Sequence, residues 1–403
     1  MLTSRANGNH RIWEVRTHRA VNYDVRETSD VLDPTNPTLL VGGRGSLRRF
    51  VVVDEVVYET RKEKLKAYFE HHGVEARIMP ITATEPNKSF ELFFQIAREL
   101  DAFKLNRRNE PIIAIGGGVL SDVVSFVAST YRRGAPCVRV PTTLMGLIDA
   151  AIGIKTAVNF DKAKNRIGTF EPPFAAVLDR SWLDTLPMRH ILNGVGEIMK
   201  LALICDPPQF ELLAKEGKEA CEDKFVTKGT EIFRRAIDGM LQELEPNLWE
   251  ENLERATDFG HTFSPMLEMK DVDNLLHGEA VAIDCAFSVV LAAERKLINA
   301  ATRDRCLGVM TELGLPVWHA MATPELFWDS VEERTAHRDG YQRVPIMTGI
   351  GTHKFINDIT LDELKSAFKV WGELCGGRVN GHAHAKVHKQ SRAAAVAASL
   401  EEG

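Results

Sequence analysis

Residues 111–130 read PIIAIGGGVLSDVVSFVAST. Ile112 to Ile115 run without a polar break into Gly116, Gly117 and Gly118, and a helical pattern follows at once. A short apolar run that ends on glycine reads as a buried strand. A glycine turn between strand and helix lets backbone N–H groups approach a pyrophosphate, and the helix N-terminus favours negative charge. The triplet lacks the GxGxxG spacing, so these residues alone fit a plain tight turn as well as a nucleotide cradle.

Upstream the same alternation repeats. RRFVVVDEVV (48–57) is an apolar run reaching Asp54, and ETRKEKLKAYFEHHG (59–73) is helical and closes on a glycine. ARIMPITA (76–83) is a strand and SFELFFQIARELDAFKL (89–105) an amphipathic helix. Strands alternating with helices predict a mostly parallel sheet covered on both faces. Asp54 at a strand end suits a ribose hydroxyl, and equally suits a helix cap. Beyond about residue 180 the texture becomes helical, in 181–204, 225–245, 278–298 and 301–314. The expected fold is an α/β N-terminal Rossmann-like domain (36–180) and an all-α C-terminal domain (181–378). Polar tails flank them at 1–35 and 379–403, and the histidines of the second tail read as solvated.

The chain has 403 residues, 44% hydrophobic and 26% charged, which excludes a mostly disordered protein and suits two domains. A formal charge of -6 argues against nucleic acid and anionic membrane surfaces as partners. There is no apolar run of about 18 residues and no apolar signal core near the start. The six cysteines are scattered without a CxxC pair. Both features fit a cytoplasmic protein with reduced thiols.

Two clusters carry chemistry. Glu197, His261 and His277 are two imidazoles and a carboxylate, a donor set for a catalytic divalent ion, zinc or cobalt, with positions left open. A lone histidine beside glycine at a helix start is more often a core or cap residue, and the three lie too far apart in sequence for spacing to decide. Residues 129–170 are dense in polar groups: Arg132, Arg133, Thr142, Thr143, Asp149, Lys155, Asn159, Lys164, Asn165 and Arg166. Asp149 and Lys155 flank an apolar stretch, where burial would demand pairing or a ligand. Cations next to a nucleotide turn suit a phosphorylated substrate.

Taken together, GGGVLSDVVSFVASTYRRG, VPTTLMGLIDAAIGIKTAVN, KNRIG, LPMRHILNGVGEIMK, FGHTFSP and LLHGEAVAID resemble the dehydroquinate synthase superfamily over roughly residues 45–375. Within it they are similar to the sugar phosphate cyclases acting on sedoheptulose 7-phosphate. The resemblance implies a dehydroquinate synthase-like fold, a homodimer, bound NAD and one divalent metal. It implies metal ligands at Glu197, His261 and His277. NAD contacts fall on Asp54, Glu85, Lys88, Gly117, Gly118, Asp122, Thr142, Thr143, Lys164, Thr185 and Leu186. Substrate or phosphate contacts fall on Arg133, Asp149, Lys155, Asn165 and Lys200.

Departures from the family pattern point to the substrate. Dehydroquinate synthases carry Asp-Ser-Ser-Val-Gly-Gly-Lys where this chain has Asp149-Ala150-Ala151-Ile152-Gly153-Ile154-Lys155. They place Asn, His and Arg where this chain has Asp258, Pro265 and Glu254. A carboxylate-bearing substrate would want the cations these changes remove, so a substrate without that carboxylate, sedoheptulose 7-phosphate, is expected. Asp258 and His337 match the pair that marks 2-epi-5-epi-valiolone synthases, and they are expected to steer the late steps. Synthases of 2-epi-valiolone or desmethyl-4-deoxygadusol are the alternatives, followed by 3-dehydroquinate synthase. A polyol dehydrogenase and a degenerate nucleotide-binding paralogue are the more distant rivals.

Overall fold

The computed structural model describes residues 2–7, 10–18, 20–161 and 163–376, so the expected tail at 379–403 lies outside the described residues. The described chain forms two compact units, one of 1–142 with 150–181, the other of 143–149 with 182–403. The short 143–149 segment thus belongs with the second unit, a crossing of the chain that the linear boundary near 180 does not anticipate.

The first unit begins with a hairpin, β1 (Leu2–Asn7) and β2 (His10–Val15), followed by β3 (Asp24–Thr28). Then come β4 (Arg48–Asp54), α1 (Glu55–His71), β5 (Glu75–Ile81), α2 (Phe90–Phe103), β6 (Ile112–Gly116), α3 (Gly118–Thr130) and β7 (Cys137–Pro141). A second hairpin, β8 (Lys155–Phe160) and β9 (Ala163–Phe170), precedes β10 (Ala175–Asp179). The main sheet runs β3-β10-β7-β6-β4-β5, every pair parallel. Residues 24–28 therefore form a paired edge strand inside the stretch expected to be a tail. Strands β6, β7 and β10 are buried throughout, as the unbroken apolar runs predict. Phe50, Val52, Ile96, Leu100, Ile112, Ala114, Val123 and Val127 pack one face.

Strand order reverses at β4. The chain steps from β4 outward to β5, then returns to place β6 on the other side of β4. That topological switch point lies between the carboxyl ends of β4 and β6, where a doubly wound sheet offers its ligand crevice. Asp54 ends one strand there and Gly116 ends the other.

The second unit holds α4 (Met188–Ile204), α5 (Pro207–Glu222), α6 (Thr230–Leu244), α7 (Ser264–Lys270), α8 (His277–Glu294), α9 (Ala300–Glu312), α10 (Pro324–Ala336) and α11 (Leu361–Cys375). It is not all-α: β11 (Val344–Gly349) and β12 (Thr352–Ile356) form an antiparallel hairpin. Helix α8 is buried from Gly278 to Ala292, as a helix apolar all round must be, and packs against α4, α7, α9 and α11. The α4–α8 crossing is backbone on backbone. A Cβ at Gly196 would sit 2.3 Å from the Gly278 carbonyl oxygen, and one at Gly278 would sit 1.8 Å from that of Asn193. Glycine at both positions is what lets these helices meet.

Candidate metal and nucleotide sites

That crossing sets the metal cluster. Glu197 follows Gly196 on α4 and is fully buried, and His277 opens α8 immediately before Gly278. His261 lies on the loop into α7. Its Nε2 stands 3.3 Å from His277 Nε2 and 3.5 Å from Glu197 Oε1, and His277 Nε2 is 3.3 Å from the same oxygen. Ligands about 2.0–2.1 Å from a tetrahedral zinc lie about 3.3–3.4 Å from one another, so the three atoms have the spacing of one face of such a site. Among the described residues these three form the group of histidine, cysteine and carboxylate ligands able to hold a metal ion. The donor set fits a divalent ion with its remaining positions open.

The far side of each imidazole is also held. His261 Nδ1 lies 3.2 Å from the Phe259 carbonyl oxygen, and His277 Nδ1 lies 3.2 Å from Glu268 Oε2. With protons on both Nδ1 atoms, both Nε2 lone pairs face inward. Glu268 is buried on α7 and is a residue the sequence reading missed. The loop itself is pinned by Asp284 of α8, whose Oδ2 accepts from the Phe263 and Ser264 N–H groups at 2.5 and 2.9 Å. Burial pushes the Asp284 carboxyl up to about 6, against the pull of those two N–H groups.

Lys200, one turn beyond Glu197, places Nζ 2.5 Å from Glu197 Oε2. Burial works against charge on both. Even so, Lys200 and the imidazoles hold Glu197 well below the usual carboxylate range, and Glu197 with Asp149 raises Lys200. Asp149 sits in a π-helical turn, Gly146–Ala150, of the same unit. Burial and then Lys200 lower His261 to about 3. At His277 burial also opposes charge, but Glu268 and Glu197 outweigh it and raise the imidazole to about 10.

In the first unit, Asp54 is the N-cap of α1, its Oδ1 accepting from Val56 N–H at 2.9 Å, so the cap reading is realised at the switch point. Gly117 and Gly118 begin α3, and a Cβ at Gly118 would come 3.3 Å from Ala150 Cβ. Thr142 N–H donates to the Gly116 carbonyl at 3.0 Å. Buried Lys88 donates to Asp122 at 2.5 Å and to Asn165. Asn159 donates to Glu85 at 2.9 Å, with Lys164 3.9 Å from the same carboxylate. Six polar side chains thus interlock at the first turns of α3 and the turn end of the β8–β9 hairpin. Asn159 was passed over as a site residue.

Other expected residues belong to other segments of the chain. Thr143 belongs to the second unit, its Oγ1 accepting from Gly146 N–H at 3.1 Å. Thr185 and Leu186 precede α4 in that unit too. Lys155 is exposed at the start of β8, so the burial argument for it fails. Pairing of Lys155 with Phe170 and of Phe160 with Ala163 puts its backbone roughly 15 Å along the hairpin from Asn165. Arg133 is exposed beyond the C-terminus of α3, about 20 Å from the glycine turn at its other end. Along the backbone, Arg133, Lys155 and Asn165 thus start from separate ends of α3 and of the β8–β9 hairpin.

Asp258 is buried and bound by three guanidiniums, and His337 caps α10 at the surface. Cations are nonetheless present around Asp258, though not at positions 254 and 265. Arg255, Arg334 and Arg338 are present and paired internally.

Residues 78–193 match the family model described as 3-dehydroquinate synthase N-terminal, and 194–334 match that described as 3-dehydroquinate synthase C-terminal. The chain belongs to the 3-dehydroquinate synthase superfamily. Within it, the chain is 47% identical over 365 residues to a 2-epi-5-epi-valiolone synthase of an Actinoplanes species, covering 88% of this chain and 92% of the relative. One from an Actinomyces species is 45% identical over 376 residues, covering 91% and 99%. A solved 2-epi-5-epi-valiolone synthase from Streptomyces hygroscopicus subsp. jinggangensis, with NAD+ and Zn2+ bound, is 44% identical with a TM-score of 0.86, covering 90% of this chain and all of that one.

Proposed function

We propose that this chain is a sedoheptulose 7-phosphate cyclase that forms 2-epi-5-epi-valiolone and releases phosphate, a carbon–oxygen lyase using NAD and one zinc or cobalt ion. The observation that carries the reading is the inward-facing trio Glu197, His261 and His277 in a chain 44–47% identical to enzymes of that name. The net reaction oxidises C5 transiently, eliminates phosphate, re-reduces the carbon, opens the ring and closes a carbocycle by an intramolecular aldol step. NAD supplies the hydride acceptor and donor, and the divalent ion supplies a Lewis acid for vicinal sugar hydroxyls.

The chain's own residues bind and orient. Glu197, His261 and His277 would hold the ion, with Glu268 and the Phe259 carbonyl fixing the rings. Lys200 Nζ, kept cationic by Glu197 and Asp149, would donate to a sugar oxygen on which negative charge develops. The N–H groups opening α3 and the Asp54 carboxylate would take the pyrophosphate and a ribose hydroxyl. Lys155 and Asn165 would contact the sugar phosphate. The family resemblance supports a cytoplasmic homodimer serving C7-cyclitol secondary metabolism, including antibiotic biosynthesis. No helix of the described residues is long and apolar enough to cross a membrane.

The test is incubation with sedoheptulose 7-phosphate, NAD+ and zinc or cobalt, with product identification by NMR. The expected result is 2-epi-5-epi-valiolone and phosphate without net NADH. Dehydroquinate from the acidic heptulosonate phosphate, with nothing from the neutral ketose, overturns the proposal. So does net NADH with a polyol.

A further inference from the structure

We propose that Arg255, Arg334 and Arg338 form a carboxylate-binding site that the chain keeps filled with its own Asp258. The inference rests on the cyclase reading and deepens it, because it names the device that refuses a substrate carrying a carboxylate.

Three guanidiniums converge on one carboxylate from two segments of the second unit. Arg255 Nη2 donates to Asp258 Oδ1 at 2.6 Å. Arg334 Nη2 donates to Oδ2 at 3.0 Å, and Arg338 Nη2 lies 2.6 Å from that oxygen. Side-chain exposure is 15, 7 and 13% for the arginines and 8% for Asp258. Guanidinium N–H groups directed at both oxygens are a geometry by which proteins recognise carboxylates. Holding a loop does not require this arrangement, since a buried ion network is seldom more stabilising than apolar packing.

The cluster is next to the metal ligands. The Asp258 carbonyl accepts from His261 N–H at 3.0 Å. Arg334 lies in the last turn of α10, and Arg338 follows His337 and also donates to the Leu253 carbonyl at 2.6 Å. Asp258 is thus paired with the residue that directly follows His337, the other position expected to mark the product class. Two other carboxylates face the cluster, Glu250 against Arg255 and Asp284 of α8 against Arg334. Neither is placed between the three guanidinium groups as Asp258 is. A sugar acid would find no vacant guanidinium here, while a neutral hydroxymethyl ketone requires none.

Replacing Asp258 with alanine deletes one carboxylate, and formate restores one of the same size. The measurement is the thermal unfolding midpoint of the purified Asp258→Ala protein titrated with sodium formate, against sodium chloride at equal ionic strength. We expect a saturable rise of several degrees with formate only, absent from the parent and from the Asp258→Ala/Arg338→Ala double variant. Asp258→Ser, which leaves room for the anion and keeps one acceptor oxygen, replaces the alanine variant if that does not fold. Refolding of either variant only in formate also supports the site. Formate and chloride acting alike on the variant overturns it. Turnover of sedoheptulose 7-phosphate by the parent is scored separately, so failure of the cyclase reading stays distinct from failure of the anion site.

Discussion

The two units build their sites by opposite means. In the first, backbone does the placing: two strand ends at a switch point and a helix that starts on glycine. In the second, side chains from α4, α8 and the loop before α7 meet because two glycines let helices touch. The backbone site draws each of its parts from a short strand-to-helix turn. The side-chain site is assembled over long separations and depends on every spacing around it.

The contrast can be broken most severely at His261. His261→Ala should remove bound metal, as measured by elemental analysis, and lower kcat/KM by roughly 1000-fold or more. Full activity with normal metal content would refute the assignment. Next in size is the crossing itself. Gly278→Ala drives a methyl to 1.8 Å from the Asn193 carbonyl oxygen, so α4 and α8 must part. We expect about 2–4 kcal/mol lower stability in denaturant unfolding, with weakened metal binding. Gly118→Ala in the other unit meets only Ala150 Cβ, at 3.3 Å, and should weaken NAD binding several-fold while metal content stays normal.

Asp284 sharpens the comparison through pH. Its carboxyl is raised to about 6 by burial, against about 3.9 in an unfolded chain. Between those values the folded state binds more protons, so stability should fall as pH rises from about 4 to about 6. Asp284→Asn should flatten that slope by about 2–3 kcal/mol relative to the parent in unfolding measured across the range. An unchanged slope would show that the carboxyl titrates normally. The remaining test is Glu268→Gln. It should weaken zinc affinity about 10- to 100-fold and leave secondary structure by circular dichroism unaltered.

The first unit was the more legible because its pattern is local. Ile112–Gly118 declared a buried strand, a turn and a helix start within a few residues. The second unit gave up its ligand types but not their meeting, since nothing in the spacing of Glu197, His261 and His277 reports that Gly196 and Gly278 bring α4 onto α8. Glu268 carries no signal of its own, being one acidic residue on a short helix. The exposure of Lys155 was not legible because it is the first residue of β8, ahead of the buried run Thr156 to Val158. The β3 strand went unseen because its pattern is exposed and polar, and only pairing with β10 orders it. Asp258 shows the limit most plainly. Substitutions that looked like loss of cations were accompanied by Arg334 and Arg338, about 80 residues on, which only the folded chain brings to the same carboxylate.

Helix α8 carries His277 as its first residue and, two turns later, the carboxylate that pins the loop of His261. One rigid rod therefore fixes the gap between the two imidazoles, like the bar of a caliper. Repacking anywhere along its buried length, even far from solvent, should reach the ion as a change in jaw width. Apolar substitutions around Cys285 or Phe287 would then register in metal affinity before they register in the fold.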